Sequence, residues 1–409
     1  MNFVFVSPNF PRRYYKWVEA LRERGITVLG IGDSPTYDLH PRLKASLNEY
    51  YFLPDLSDFP KMKEAVAYYE RKYGKIDYIE SDNEWWLEMD ARLREAFGVN
   101  SGFRPEEMRR IKAKSAMKEC FKKGGALTMR YVLADGPEDL DKVLAFAKEV
   151  GYPLFAKPDV GVGASDSYKL KDEAAVRAFL KERLSETHIV EEYIDGEIVS
   201  FDGICDSKGD VAFMSSDHFP TPIADIVNEG LDYYYYNNPF ELPMGDIDRE
   251  AFKKVGQGVV KAFGIKKRFF HIEFFVLKED KPGLAKKGDF VALECNMRPP
   301  GGYTPDLIDF GGSLSCYEIY ADIVAYDENR QNMGLEKFYA FASHRLDRLA
   351  YAHTPEEIKA KYWDKLCMEG RYPAHMAAVM GDQFYYAKFK TIEEGLAFDK
   401  FVREKAQAK

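Results

Sequence analysis

Two short apolar runs that carry acids constrain this chain more than any other feature. The first reads Phe270-His271-Ile272-Glu273-Phe274-Phe275, and the second reads Phe290-Val291-Ala292-Leu293-Glu294-Cys295-Asn296-Met297-Arg298. A polar Lys/Gly/Asp segment, 278–289, joins them. The pattern predicts two strands and a long hairpin loop. Side chains alternate across a strand, so Glu294, Asn296 and Arg298 share one face. The flanks are too apolar for a solvated strand, and acids set among such residues need a partner or a metal. A hard cation such as Mg2+ takes a few oxygen ligands together with substrate phosphates. Glu273, Glu294 and the Asn296 carbonyl oxygen can supply those ligands. Arg298 stands one pleat further on to meet an anion.

The rest of the composition narrows the function classes. The chain has 409 residues, 46% hydrophobic and 31% charged, enough for two or three domains with sizeable cores. A net charge of -9 argues against a general nucleic-acid binder, which needs a basic surface. Five scattered cysteines, with no CxxC pair, argue against structural zinc and against a disulfide framework. No run approaches the ~18–20 apolar residues that span a bilayer. The first residues lack the basic and apolar regions of a signal peptide. The expectation is a cytoplasmic, reducing environment with no membrane and no nucleic acid as partner.

Strand and helix alternate over the first hundred residues. Apolar runs at 3–6, 26–31, 50–53 and 78–79 are separated by helical stretches, among them 62–73 and 85–97. This order predicts a doubly wound parallel sheet. No GxGxxG follows the first strand, so a dinucleotide is not supported. Loops at strand carboxyl ends, 7–10 and Asp82-Asn83-Glu84, are candidate substrate contacts, with ordinary polar loops as the plainer reading. Pro105 opens a helix through Met108, Ile111, Lys114 and Met117 that ends at Gly124-Gly125. A compact α/β segment covers 131–194, with Asp172 capping a helix over 173–184. Strands follow at 198–205 and 211–214, and a small α/β tail begins near 340, with a hairpin turn at Met380-Gly381-Asp382 and a last helix over 392–405. The expected domains are 1–103, 104–338 with a lid subdomain at 126–194, and 339–409.

Three further segments carry chemistry. Lys157 ends a strand that leads into Gly161-Val162-Gly163-Ala164-Ser165. Small residues let backbone N–H groups cradle phosphate oxygens, and the lysine adds a cation, the alternative reading being a plain flexible hairpin. No Gly-Lys-Ser/Thr closes the loop, so it is not a Walker P-loop. At Glu191-Glu192-Tyr193-Ile194, backbone groups at a strand end can pair with the edge of an adenine and Glu197 can bind ribose hydroxyls, the plainer reading being an edge strand with solubilising charges. His271 shares the face of Glu273, where it either touches a phosphate or substrate or serves as a hydrogen-bonded structural histidine. His218 and the run Tyr233-Tyr234-Tyr235-Tyr236 read as a substrate-covering loop or as packing. His344-Arg345 reads as an anion contact or, more plainly, a surface ion pair.

Taken in order, Lys114, Lys157 with its Gly-rich loop, Glu191 to Ile194 with Glu197, then Glu273 and Glu294-x-Asn296-x-Arg298 resemble the ATP-grasp superfamily over nearly the whole chain. The resemblance implies an α/β protein of α+β ATP-grasp fold: an N-terminal doubly wound domain, a two-subdomain nucleotide module and a small tail. It implies ATP and Mg2+ as cofactors, with Mn2+ as an alternative. Lys114 and Lys157 would hold the phosphates, Lys112 being the alternative to Lys114, and the loop with Gly161, Gly163 and Ser165 would close over them. Glu191, Glu192, Tyr193 and Ile194 would meet adenine, Glu197 ribose, and Glu273, Glu294 and Asn296 the metal. The stretch Asn296-Met297-Arg298-Pro299-Pro300-Gly301-Gly302 looks most like amino-acid or dipeptide ligases, apart from its double proline. That implies a carboxylate–amine ligase working through an acyl phosphate, with Arg298 as the catalytic residue and Gly301, Gly302, His271 and Glu84 near a small carboxylate and amine. The alternatives are a bicarbonate-activating carboxylase or carbamoyl-phosphate type enzyme, and a non-catalytic ATP-binding module. A homodimer is compatible with this reading.

Overall fold

The N-terminal strands β1 (Asn2–Val6), β2 (Thr27–Gly32), β3 (Glu49–Phe52) and β4 (Tyr78–Glu80) form a parallel sheet in the order β3-β2-β1-β4. They do so in a computed structural model, which describes residues 1–161, 166–222, 225–226 and 229–406. Val4, Val6, Leu29 and Ile31 pack on one face, and Phe3, Phe5 and Val28 pack on the other. Burial on both faces is what turns alternating strand patterns into the near-continuous apolar runs seen in the sequence. The strand order reverses between β1 and β4. Ligands bind at such switch points, outside the strand carboxyl ends. The loop after β4 carries Asp82 and Glu84.

The helix expected from Pro105 to Gly124 is broken. One helix ends at Lys112 and a second runs Lys114–Lys123. Ala113 between them is extended and bridges Val160, while the Lys114 N–H donates to the Asp159 carbonyl at 2.8 Å. Asp159 also caps the second helix through its side chain, accepting from the Ser115 N–H at 2.7 Å and the Ser115 hydroxyl at 2.8 Å. The break therefore sets Lys114 at a helix start, facing the neighbouring lid.

The segment expected as a lid is an antiparallel sheet of β6 (Tyr131–Ala134), β7 (Leu154–Pro158), β8 (Tyr168–Leu170) and β9 (His188–Glu192), in the order β6-β9-β7-β8. Helices Leu140–Val150 and Glu173–Phe179 cover one face through Val143, Phe146 and Val176. Asp172 caps the second of these, as expected, by accepting from the Ala175 N–H at 2.8 Å.

A nine-stranded sheet forms the rest. Its strands are β5 (Leu127–Thr128), β10 (Gly196–Cys205), β11 (Val211–Phe219), β12 (Tyr234–Pro239), β13 (Phe269–Leu277), β14 (Phe290–Asn296), β15 (Tyr339–Arg345), β16 (Leu366–Arg371) and β17 (Gln383–Phe389). They lie in the order β16-β17-β15-β12-β11-β10-β13-β14-β5. Four expectations change here. The residues from 339 onward are not a separate sheet, because β15 pairs with β12 and extends the central one. The tyrosine run is not a covering loop: β12 is a sheet strand, with Tyr235 buried on one face and Tyr234 and Tyr236 stacked on Phe341. Met380 closes a helix, Ala374–Met380, that intervenes between β16 and β17, where a simple hairpin was expected. His344 and Arg345 are buried, not a surface pair. Arg345 donates to the carbonyls of Val402 at 2.5 Å and His353 at 2.8 Å. The five cysteines are unpaired, and no helix among the described residues is long and apolar enough to cross a membrane.

Candidate active site

The expected hairpin is β13 and β14, and its register brings the acids together. Glu273 faces Glu294 and His271 faces Asn296 across the strand pair. A bulge follows Glu273. Bulges re-aim side chains next to functional sites. The polar row continues across the sheet, since Glu273 pairs with Ser200 on β10, and Asp217 on β11 pairs with Asn237 on β12. His271 is held from both sides, by Asp202 at 2.5 Å and by Glu273 at 3.3 Å. Burial alone would lower its pKa, but the charge and hydrogen bond of Asp202, then those of Glu273, raise it to about 10. Burial would raise Glu273, yet the His271 hydrogen bond and charge leave it below the usual value. Glu294 is raised by burial, against the opposing charge of Lys114. Two carboxylates 21 residues apart in sequence are thus held in different protonation environments on one rung.

Cations face these acids from the lid and from the helix after Ala113. The Lys157 ammonium lies 3.0 Å from Glu191, and the Lys114 ammonium 3.5 Å from Glu294. Lys114 also donates to the Gly161 carbonyl at 3.4 Å. Lys112 instead turns to Glu88, at 3.9 Å, so the geometry favours Lys114 over Lys112 for a phosphate. A third cation escaped the sequence reading. Lys118 is buried one helical turn beyond Lys114 and pairs with Glu191. Its i,i+4 spacing from Lys114 was the available signal. Burial would raise the Glu191 carboxyl, but Lys118 and Lys157 bring it down to about 2.

The residues expected around a nucleotide base divide into two groups. Tyr193 and Ile194 lie on the cleft wall with Met129 and Phe155. The side chains of Glu191 and Glu192 are already engaged, Glu192 by the Arg130 guanidinium at 2.6 Å, and both residues pair with neighbouring strands, the Glu192 N–H donating to the Arg130 carbonyl at 3.1 Å. Glu197 does not reach the cleft. It is exposed on β10, and its charge acts on Tyr234 and Tyr236, on the face opposite Ile198. Gly163 and Ser165 lie outside the described residues.

Arg298 closes the far end. Its guanidinium donates to Glu84 at 3.0 and 3.1 Å and to the Pro299 carbonyl at 2.9 Å. Glu84 comes from the switch-point loop of the N-terminal sheet, so the arginine ties that sheet to the cleft. Space is open beside the Cα of Gly301. Gly302 has φ +62°, and a Cβ there would come within 2.3 Å of the Met380 methyl. Both glycines lead into the helix Thr304–Gly312. The whole cleft has a volume of about 430 Å³ and takes its walls from all three sheets.

The donor set fits Mg2+ bound together with phosphates better than a dedicated metal cage. Among the described residues no three His, Cys, Asp or Glu side chains gather as a metal site. Mg2+ commonly takes one or two protein carboxylates and completes its shell from substrate phosphate and water. Glu273 and Glu294 provide the pair, and the Asn296 side-chain oxygen is buried with no hydrogen-bond partner.

No family model matches this sequence, and no curated protein does. Solved structures do. An L-amino acid ligase from Bacillus licheniformis superposes with a TM-score of 0.72 at 15% identity, covering 98% of this chain and 96% of that one. N5-carboxyaminoimidazole ribonucleotide synthetase from Thermotoga maritima gives 0.68 at 15% identity, over 98% and 97% of the two chains. The biotin carboxylase domain of a Hydrogenobacter thermophilus 2-oxoglutarate carboxylase, solved with MgADP, ADP and bicarbonate, gives 0.68 at 14% identity, over 96% and 88%. The chain therefore has the ATP-grasp fold that its ordered motifs resemble.

Proposed function

We propose that this chain is an ATP-dependent ligase that joins a carboxylate to an amine through an acyl phosphate, releasing ADP and phosphate. One observation carries the reading. Glu273, Glu294 and Asn296 face Lys114 and Lys157 across a single cleft, and Arg298 ends that cleft beside two glycines. The structural relatives, named as ligases and carboxylases, support the same chemistry.

Each side chain then has a task. Lys114 and Lys157 exchange their carboxylate partners for phosphate oxygens, which costs little because the charges are already paired and desolvated. Tyr193 and Ile194 hold the base by backbone groups. His271 fixes the orientation of Glu273. Mg2+, when bound by Glu273, Glu294 and Asn296, offsets the repulsion between a carboxylate and the phosphate it attacks. Arg298 leaves Glu84 to hold the substrate carboxylate, then stabilises negative charge as the amine adds. Glu84, freed near that point, is placed to receive a proton from the amine.

The test is phosphate release from Mg-ATP with amino acids supplied in pairs, and with bicarbonate alone. Release that needs both an acid and an amine supports the ligase. Release driven by bicarbonate without an amine would move the reading to a carboxylase. No ATP turnover with any of them, in protein that binds Mg-ATP, contradicts both.

A further inference from the structure

Beyond its charged half, the cleft changes character within one rung of the sheet. Ile198 pairs with Phe275 on one side and with Phe219 on the other. The Phe219 ring stacks on Tyr235 with centroids 4.8 Å apart, and Tyr233 and Met380 continue the wall. None of these side chains carries a charge. The Tyr235 hydroxyl is also already used. The Tyr235 hydroxyl lies 3.0 Å from the Thr304 hydroxyl and 3.1 Å from that of Tyr386. Tyr386 meets Tyr372 at 2.9 Å, and Tyr372 meets His344 at 3.1 Å. Burial pushes the His344 and His218 imidazoles down to about 3, so the histidines behind the wall are neutral.

This wall is tied to the reacting end. Five residues separate Arg298 from Thr304, whose hydroxyl touches Tyr235. A molecule held at Arg298 and Gly301 meets the apolar wall next. A charged group placed there would lose its water and find no opposite charge on this wall. An apolar group would gain from burial and from contact with the aromatic faces.

Resting on the ligase reading, we propose that the organic substrate carries an uncharged aromatic or branched aliphatic group, seated against Ile198, Phe219, Tyr233, Tyr235 and Met380. The reacting carboxylate meets Arg298 at the other end. The experiment compares L-phenylalanine and L-leucine with L-aspartate and L-lysine, each supplied with L-alanine as partner, by Mg-ATP-dependent phosphate release. The expected result is a kcat/KM for phenylalanine or leucine at least about tenfold above that for aspartate or lysine, the scale of losing or gaining apolar contact in a pocket. Met380→Ser, at a half-buried position, should raise the KM for the apolar amino acid about tenfold while the Kd for Mg-ATP, measured by calorimetry, stays within about twofold. A preference for aspartate or lysine, or an unchanged KM in Met380→Ser, overturns the apolar pocket and leaves the ligase standing. Phosphate release with none of the four, in protein that binds Mg-ATP, overturns the pocket and the ligase reading together.

Discussion

Single residues in this cleft are held as paired opposite charges. Glu191 shows it best, buried between Lys118 and Lys157 with its pKa brought down to about 2. A carboxyl whose folded pKa lies below its unfolded value near 4.5 contributes stability above pH 4.5 and loses it as pH falls through about 2. Glu191→Gln should therefore be less stable than the parent at pH 6 by about 3 kcal/mol, the scale for stranding a buried charge. The gap should close as pH falls from about 4.5 to about 2. Denaturant melts across that range check this, and a gap that stays constant contradicts it. Arg298→Ala removes an anion contact without touching the metal acids. It should bind Mg-ATP as the parent does and lose turnover by about 10^2–10^3, the cost of one charge-stabilising donor. Ligase turnover near the parent's level would place the chemistry elsewhere.

Elements, more than residues, decide where those charges stand. The break at Ala113 turns one expected helix into two and sets Lys114 at the start of the second. Asp159, on the far side of the lid junction, holds that start. Asp159→Ala should lower stability by about 1 kcal/mol, as other lost caps do, and weaken Mg-ATP binding about fivefold. Titration calorimetry and melting together check it, and an unchanged Kd would detach the cap from the site. Mg-ATP should also slow amide exchange in β7 and β9, because a ligand bridging lid and central sheet suppresses their local opening. Equal exchange with and without nucleotide would deny the lid its role. These elements also mark what the sequence made legible. Period-two runs around Glu273 and Glu294 were readable because a strand's faces follow from alternation alone. The break at Ala113 was not, since it depends on Asp159 and Val160, more than 40 residues away. Glu197 was misplaced because the motif order gives its neighbourhood and not the face of β10 it occupies. Lys118 was missed because a lysine on a helix looks solvated until its partner Glu191 is brought against it. The tail looked separate because its pairing to β12 joins strands about 100 residues apart.

At the scale of the molecule, three sheets meet at one cleft. The loop after β4 sends Glu84, the small sheet sends Lys157, and the nine-stranded sheet supplies Glu273, Glu294 and the apolar wall. Ligand binding should lock these parts together. At about 100 times its Kd, Mg-ATP should add about 2.7 kcal/mol of stability, seen as a raised melting temperature. Absence of a shift at millimolar Mg-ATP would remove the nucleotide from the account. The most direct measurement concerns the bond made and broken in the proposed reaction. An amino acid labelled with 18O in its carboxylate is incubated with Mg-ATP, an amine and the protein, and the released phosphate is analysed by mass spectrometry. Attack of the carboxylate on the γ-phosphorus, followed by amine addition, transfers one labelled oxygen to phosphate for each bond formed. Ligated product accompanied by phosphate without label would contradict the acyl-phosphate mechanism proposed for this site.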